Sequence, residues 1–318
     1  MLLPLVLAFN AVSLGSTPPP VHAPPFPVRP LAAGVYAVPG DSGRGSEGRP
    51  NAGFIVTPAG VVVIDALASP RDGRRLLASI RTVTRAPVRY LVLTHHHPDH
   101  HFGAIVFRRL GAKIIAHPDT RVLASEAGNA ALVKDWTRVV GAAAMRGFAF
   151  ADTPDIPVLL VDTLVLGGRT IVIAHPGAAH TAGDLTVWLP DDRILFAGDL
   201  LIEDGVTMIG DGSAAVLLRA LDAMDTLHAA VVVPGHGRIS ESPAALIGAT
   251  RTYMARLRTE MRAAVEHGVP MKRALASLPP PDDDRPVSLN SRRRRNAARV
   301  YVEEEKSYMG LDSAGTTP

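Results

Sequence analysis

Five of the chain's 12 histidines fall in one short stretch, Thr94–His95–His96–His97–Pro98–Asp99–His100–His101. It follows the apolar run Tyr90–Leu93 and precedes a segment with helical spacing. Alternate residues of an extended segment share a face, so His95 and His97 point together while His96 points elsewhere. Pro98 suits the first turn of a helix, which puts Asp99 and His100 in that turn. One peptide thus aims two ligand pairs at neighbouring points. A lone histidine there would read as packing or surface; imidazoles ordered around a carboxylate at a strand end read as a metal site.

Three more segments place a polar residue just past an apolar strand. Thr170–Ala174 leads into His175–Pro176–Gly177–Ala178–Ala179–His180–Thr181–Ala182–Gly183–Asp184. Ile194–Ala197 leads into Gly198–Asp199, and Val231–Val233 into Pro234–Gly235–His236–Gly237. The small residues let backbones approach closely. Each segment alone is weak; together with the cluster they converge on one centre. Asp65, after Val61–Ile64, and Asp184 are placed to orient ligands by hydrogen bonding, with strand-end capping as the ordinary alternative. The chain has no cysteine, so disulfides, thiolate metal sites and thiol nucleophiles are excluded, and a metal must be held by His, Asp or Glu. His96 and His101 read as standing outside the ligand set, with His101 the better candidate for the mouth of the site. His117 and His175 read as packing or turn residues, and Trp136, Met145, Phe148 and Phe150 as core rather than a substrate wall.

The elements that must position these groups follow from pattern. Strands are expected at Val35–Val38, Asn51–Val56, Gly60–Asp65, Tyr90–Leu93, Lys113–Ala116, Val158–Val165, Thr170–Ala174, Leu185–Leu189, Ile194–Ala197 and Ala230–Val233. Tight turns at Thr57–Gly60, Gly167–Gly168 and Pro190–Asp192 imply antiparallel pairs, unlike a purely parallel sheet. Helices are expected at Arg71–Thr84, Phe102–Leu110 and Ala214–Leu227, with an irregular helical region over Ala124–Phe148. After Ser240 the strand signals stop. Ser242 as N-cap and Pro243 open a helix that Gly268 and Pro270 end; Met271–Leu278 and Ser291–Tyr308 follow. The organisation expected is a tail over residues 1–30, a catalytic domain over 31–240, and a helical extension over 241–318 with a disordered end.

Of the 318 residues, 47% are hydrophobic and 20% charged, which excludes a disordered chain or a fibre. No apolar run reaches the length of a spanning helix. Met1–Leu14 has the length of a secretory h-region but no basic residue before it, and Pro18–Pro30 should be extended and unpacked. A signal peptide and a periplasmic or secreted location are expected, with a cytoplasmic chain as the alternative. The net charge is +3. Its dense run, Arg292–Arg295, is flanked by Asp282–Asp284 and Glu303–Glu305 and reads as a locally neutralised, solvated surface rather than a nucleic-acid stripe.

With these residues in view, the chain resembles the metallo-β-lactamase-fold hydrolases. His95-x-His97-x-Asp99-His100, His180, Asp199 and His236 stand in the order of that superfamily's ligand set, and Asp65 matches its first motif. The C-terminal segment with Arg295–Asn296 and Arg299–Val300–Tyr301 is similar to hydrolases of sulfur-oxidation and quinoprotein-relay gene clusters. The resemblance implies an α/β fold, the αββα four-layer sandwich, with a C-terminal helical extension. It implies two Zn2+ ions, with iron or manganese open alternatives. His95, His97 and His180 would bind one; Asp99, His100 and His236 would bind the other; Asp199 would bridge. A metal-bridging hydroxide, available at neutral pH because zinc acidifies water, would attack an ester, thioester, lactone or amide carbonyl, with Asp99 orienting it and relaying its proton.

Charge counting on that core leaves a formal positive charge, so a neutral or anionic small-molecule substrate is expected, and no nucleic acid. The β-lactamases of the fold typically lack an aspartate at the bridging place, so Asp199 makes β-lactam hydrolysis a side activity. The interval from Asp199 to His236 is too short for an inserted nuclease domain. A thioesterase like glyoxalase II shares the ligands and is the nearest alternative. Of another class, a non-catalytic metal- or ligand-binding module would need a blocked open position. A diiron redox protein would place Glu where this chain has His97.

Overall fold

The computed structural model describes residues 24–41, 48–121, 126–151, 154–203, 205–278 and 287–311. The N-terminal apolar stretch, residues 18–23 of the Pro-rich segment, Asp282–Asp284 and residues 312–318 lie outside them.

Two mixed sheets carry the chain. The first contains β1 (Arg29–Ala32), β2 (Val35–Val38), β3 (Ala52–Thr57), β4 (Gly60–Ile64), β5 (Val88–Val92), β6 (Lys113–Ala116) and β7 (Ile156–Pro157), in that spatial order. Pairing is antiparallel up to β4 and parallel from β4 to β7. The parallel crossovers carry α1 (Pro70–Val83), α2 (Pro98–His101), α3 (Ala104–Arg108) and α4 (Glu126–Val140). The second sheet runs β8 (Val161–Leu166), β9 (Arg169–Ala174), β10 (Thr186–Leu189), β11 (Ile194–Ile202) and β12 (Val231–His236), antiparallel except for β11 with β12. Helices α5 (Ala214–Thr226), α6 (Pro243–Glu266), α7 (Met271–Ala276) and α8 (Val287–Tyr308) complete the order.

Period-two alternation separates the layers. On β4, Val62 and Ile64 face the second sheet and pack with Ile171, Val187 and Phe196. Val61 and Val63 face outward onto Leu76 and Ile80 of α1 and Phe107 of α3. The outer face of the second sheet, through Leu195 and Ala197, joins Leu217 and Leu221 of α5, Ile247 and Met254 of α6, and Ala297 and Val300 of α8. The result is the helix–sheet–sheet–helix sandwich, with the C-terminal helices built into one outer layer. None of the described helices is long and apolar enough to cross a membrane.

Three local expectations change. The helix expected at Phe102–Leu110 shortens to α3, and Pro98 opens a separate turn, α2; between them Gly103 packs backbone to backbone, since a Cβ there would overlap the Ala66 carbonyl and its N–H donates to the Leu67 carbonyl at 2.9 Å. The Pro-rich segment is not wholly unpacked. Phe26 is buried between the guanidinium groups of Arg49 and Arg75, and Arg29–Ala32 forms an edge strand. Ser242 does cap α6 but makes no side-chain cap bond.

Candidate metal centre

The site lies where the carboxyl ends of β4 and β5 in one sheet meet those of β11 and β12 in the other. Cross-sheet hydrogen bonds fix this edge: Leu185 N–H donates to the Thr94 carbonyl at 2.7 Å, and Asn51 N–H to the Gly235 carbonyl at 2.8 Å. His95 and His97 follow β5, with His97 in extended backbone; Pro98 opens α2, and Asp99 and His100 occupy its only turn. Asp199 lies within β11 and His236 ends β12, so both are strand residues rather than residues past the strand. His180 sits in the turn after β9.

All seven anticipated ligands converge. His95, His97, His180 and Asp199 bring one ligand atom each within 4.8 Å of one another, as do Asp99, His100 and His236. His180 Nε2 is 3.0 Å from His97 Nδ1, and His100 Nε2 is 3.3 Å from His236 Nε2. The Asp199 carboxylate is shared: Oδ2 lies 3.5 Å from His180 Nε2 and 4.0 Å from His95 Nε2, while Oδ1 lies 3.2 Å from His100 Nε2 and 3.7 Å from His236 Nε2. Asp99 Oδ2 is 3.1 Å from His236 Nε2.

Supporting groups fix the rings. Asp65 accepts from Thr94 N–H at 2.8 Å and Thr94 Oγ1 at 2.9 Å, and its Oδ2 lies 2.8 Å from His100 Nδ1. That contact puts the His100 proton on Nδ1 and leaves the Nε2 lone pair aimed inward. The Met208 carbonyl does the same for His180 Nδ1 at 2.6 Å. Asp184 accepts from the N–H groups of Ala179, His180 and Thr181 and from the Thr181 hydroxyl, so it builds the turn that presents His180.

The donor set suits a metal. His95 Nε2 and Asp199 Oδ1 are buried with no hydrogen-bond partner among the described residues. Unpaired polar atoms at such depth are costly without a ligand, and imidazole with carboxylate is N/O chemistry for zinc, iron or manganese. Burial, then the neighbouring His100, drives His95 well below the usual imidazole range. Burial opposes ionisation of both aspartates, but His236 and His100 hold Asp199 well below the carboxylate range, and His100 and His236 bring Asp99 to about 2.

The metallo-beta-lactamase superfamily model matches residues 45–236. The chain belongs to that superfamily. Its relatives are hydrolases. A linear primary-alkylsulfatase of Pseudomonas sp. (strain ATCC 19151) is 24% identical over 58% of this chain and 41% of its own length. A type 2 metallo-beta-lactamase of Bacillus sp. (strain 170) is 22% identical over 61% of this chain and 70% of its own. The chain thus spans less than half of the alkylsulfatase. Among solved structures, a sec-alkylsulfatase from Pseudomonas sp. superposes with a TM-score of 0.67 at 18% identity, covering 92% of this chain and 52% of that one. A metallo-beta-lactamase family protein from Thermus thermophilus gives 0.66 at 19%, covering 88% and 95%. At these identities the structural likeness speaks for the fold.

Of the other residues, some keep their sequence reading and some do not. His101 is buried, not at a mouth. His96 is buried too and groups with His97 and Asp211, whose Oδ2 is 3.6 Å from His97 Nε2. His117 and His175 stack at 4.1 Å and belong to none of the candidate metal-ligand groups, in keeping with their packing reading. Phe102 packs on Phe148 at 4.6 Å, and Trp136 donates to the Ala68 carbonyl; Met145 is buried, whereas Trp136, Phe148 and Phe150 are half-buried and stand outside the core clusters. Arg292 is 5% exposed and lines the site cavity with His97, Asp99, Asp199 and His236. The solvated-surface reading therefore fails for Arg292 and holds for the exposed Arg294 and Arg295.

Proposed function

We propose that the protein is a binuclear zinc hydrolase of an ester, thioester, lactone or amide carbonyl. His95, His97 and His180 would hold one ion, Asp99, His100 and His236 the other, and Asp199 both. The observation that carries this reading is the Asp199 carboxylate, which turns one oxygen to each imidazole group. Zinc in such a site lowers the pKa of water to about 7 and so supplies a hydroxide nucleophile at neutral pH.

The chain's own residues do the rest. Asp99, ionised and half-buried on the cavity, accepts a hydrogen bond from the attacking water and then carries its proton toward the leaving group. Asp65 and the Met208 carbonyl hold His100 and His180 in fixed tautomers, and Thr94 Oγ1, which donates to Asp65, lies 3.0 Å from His95 Nδ1 and orients the third imidazole, so little reorganisation accompanies the reaction. The cavity at the site is about 40 Å³, room for one or two waters. It reaches His97, Asp99, Asp199 and His236, which supports an open reactive position over a sealed binding module.

The test is metal analysis of wild type and Asp99→Ala with chromogenic esters, thioesters, lactones, cephalosporins and, given the alkylsulfatase relatives, a sulfate ester. The expected result is two equivalents of zinc and turnover of at least one carbonyl class. Asp99→Ala should lose about 100-fold or more in kcat/KM and part of one equivalent. Two bound ions without turnover would indicate a binding module; undiminished turnover in the variant would remove Asp99 from the mechanism.

A further inference from the structure

One buried histidine beside the metal centre has no part in the reaction proposed above. His96 is 4% exposed, and neither of its ring nitrogens has a hydrogen-bond partner among the described residues. Burying such a ring is costly unless something satisfies it. His96, His97 and Asp211 each bring one ligand atom within 4.8 Å of the other two. The His97 ring stands between two groups: Nδ1 lies 3.0 Å from His180 Nε2, and Nε2 lies 3.6 Å from Asp211 Oδ2. The second separation is too long for a good hydrogen bond and does nothing for His96. A cation among the three ligand atoms serves them all.

Asp211 is held in place from both sides. Gly212 packs so closely that a Cβ would overlap the Ala179 carbonyl, and Ser213 N–H donates to that carbonyl at 3.0 Å. From α8, the buried Asn296 accepts from Ile209 N–H at 3.1 Å and donates to the Thr207 carbonyl at 2.8 Å, and Arg299 donates to the Gly212 carbonyl at 2.9 Å. The Asp211 side chain is 62% exposed, so an ion enters from solvent and water completes its shell.

We propose that His96, His97 and Asp211 form a third cation site, for zinc or another divalent transition metal, that is weaker than the hydrolytic pair and inhibits it. Two imidazoles and a carboxylate are N/O donors for such ions. His97, bound to the first ion through Nδ1, carries a proton on Nε2; the third ion replaces that proton, which leaves to solvent. The displaced proton and the repulsion between neighbouring cations make the site weak, and the shared ring ties its occupancy to turnover. The proposal rests on the two-ion hydrolase reading for its count and its inhibitory effect.

The test uses the zinc-loaded full chain, dialysed to equilibrium against rising free zinc. Bound metal is measured by elemental analysis, and turnover is followed on a chromogenic substrate. Wild type should hold two equivalents tightly, take up a third at higher zinc, and lose at least half of its turnover over the same range. In D211N and H96N the third equivalent and the fall in turnover should both move to at least about tenfold higher zinc. D211N, at an exposed position, decides the matter if H96N does not fold. Two equivalents and no more up to millimolar zinc would overturn the proposal, as would a third equivalent that both variants bind like wild type. Loss of a tight equivalent in D211N, with no third in wild type, would make Asp211 an orienting group for His97 instead. A third equivalent that leaves turnover unchanged would overturn the inhibition. A weak, Asp211-dependent equivalent in a protein with no turnover would sink the hydrolase reading and leave the cation site standing.

Discussion

The positioning carboxylate Asp65 illustrates how much one side chain decides. It stands at φ +59°, a left-handed conformation that Asp and Asn tolerate and most residues do not. Asp65→Asn therefore keeps the backbone and changes only the acceptor count. One amide oxygen cannot serve Thr94 N–H, Thr94 Oγ1 and His100 Nδ1 together, and the NH2 group would face a donor. Metal affinity should fall about 10–100-fold and stability by about 1–3 kcal/mol, read by chelator competition and urea unfolding. Unchanged affinity would make Asp65 a strand-end cap alone. The residues at this scale were legible where spacing is local: His95 through His100 declare themselves within one turn. Arg292 was not. It stands in a run of four arginines, and only the register of α8 selects which of them faces the cavity. Asp211 was equally hidden, in a Gly-flanked loop with no apolar strand before it.

At the scale of elements, the site depends on β11 and β12 lying closer than side chains would allow. Gly235 marks that contact: a Cβ there would overlap Asp199 Oδ1 and come within 2.8 Å of the Gly198 carbonyl carbon. The obstruction is partly backbone, so it cannot swing aside. Gly235→Ala should force Asp199 off its shared position, at a cost of about 1–3 kcal/mol in stability, and reduce bound metal to one equivalent or less by elemental analysis. Retention of both equivalents would mean that the two strands separate without harm. The small residues after each apolar run pointed to close backbone approach. They did not reveal that Asp199 and His236 lie inside their strands, because hydrophobic alternation cannot place a strand's end when polar residues continue the ladder. The late start of α3 was hidden as well: Gly103 answers to a loop 37 residues earlier, at Ala66, and not to its own helix.

For the molecule as a whole, the question is whether the C-terminal helices are an accessory. Their ends were readable from Ser242–Pro243 and Gly268, but their burial was not, because α8 is rich in charge. The packing answers through α6, which buries Leu246, Ile247, Met254, Leu257, Met261 and Val265, and through Ala297, Val300 and Tyr301 of α8, all in the cluster that includes β11 and α5. Glu304, almost fully buried, holds the two helices together through Arg258 at 2.8 Å and Arg262 at 2.7 Å. Each large apolar side chain fully buried contributes about 1.5–3 kcal/mol. Losing six on α6 forfeits a gross burial term of about 9–18 kcal/mol, which is large beside the net stability of about 5–15 kcal/mol that a domain retains. Removal also takes Asn296 from the 206–212 loop, and with it the support of His180. A chain ending at residue 240 should be poorly soluble, bind a hydrophobic dye, and lose both cooperative unfolding and metal. Soluble, cooperatively unfolding, metal-binding protein from that truncation would mean that the sandwich closes its outer face without these helices, and that the guanidinium they bring to the site is an addition to a self-sufficient fold.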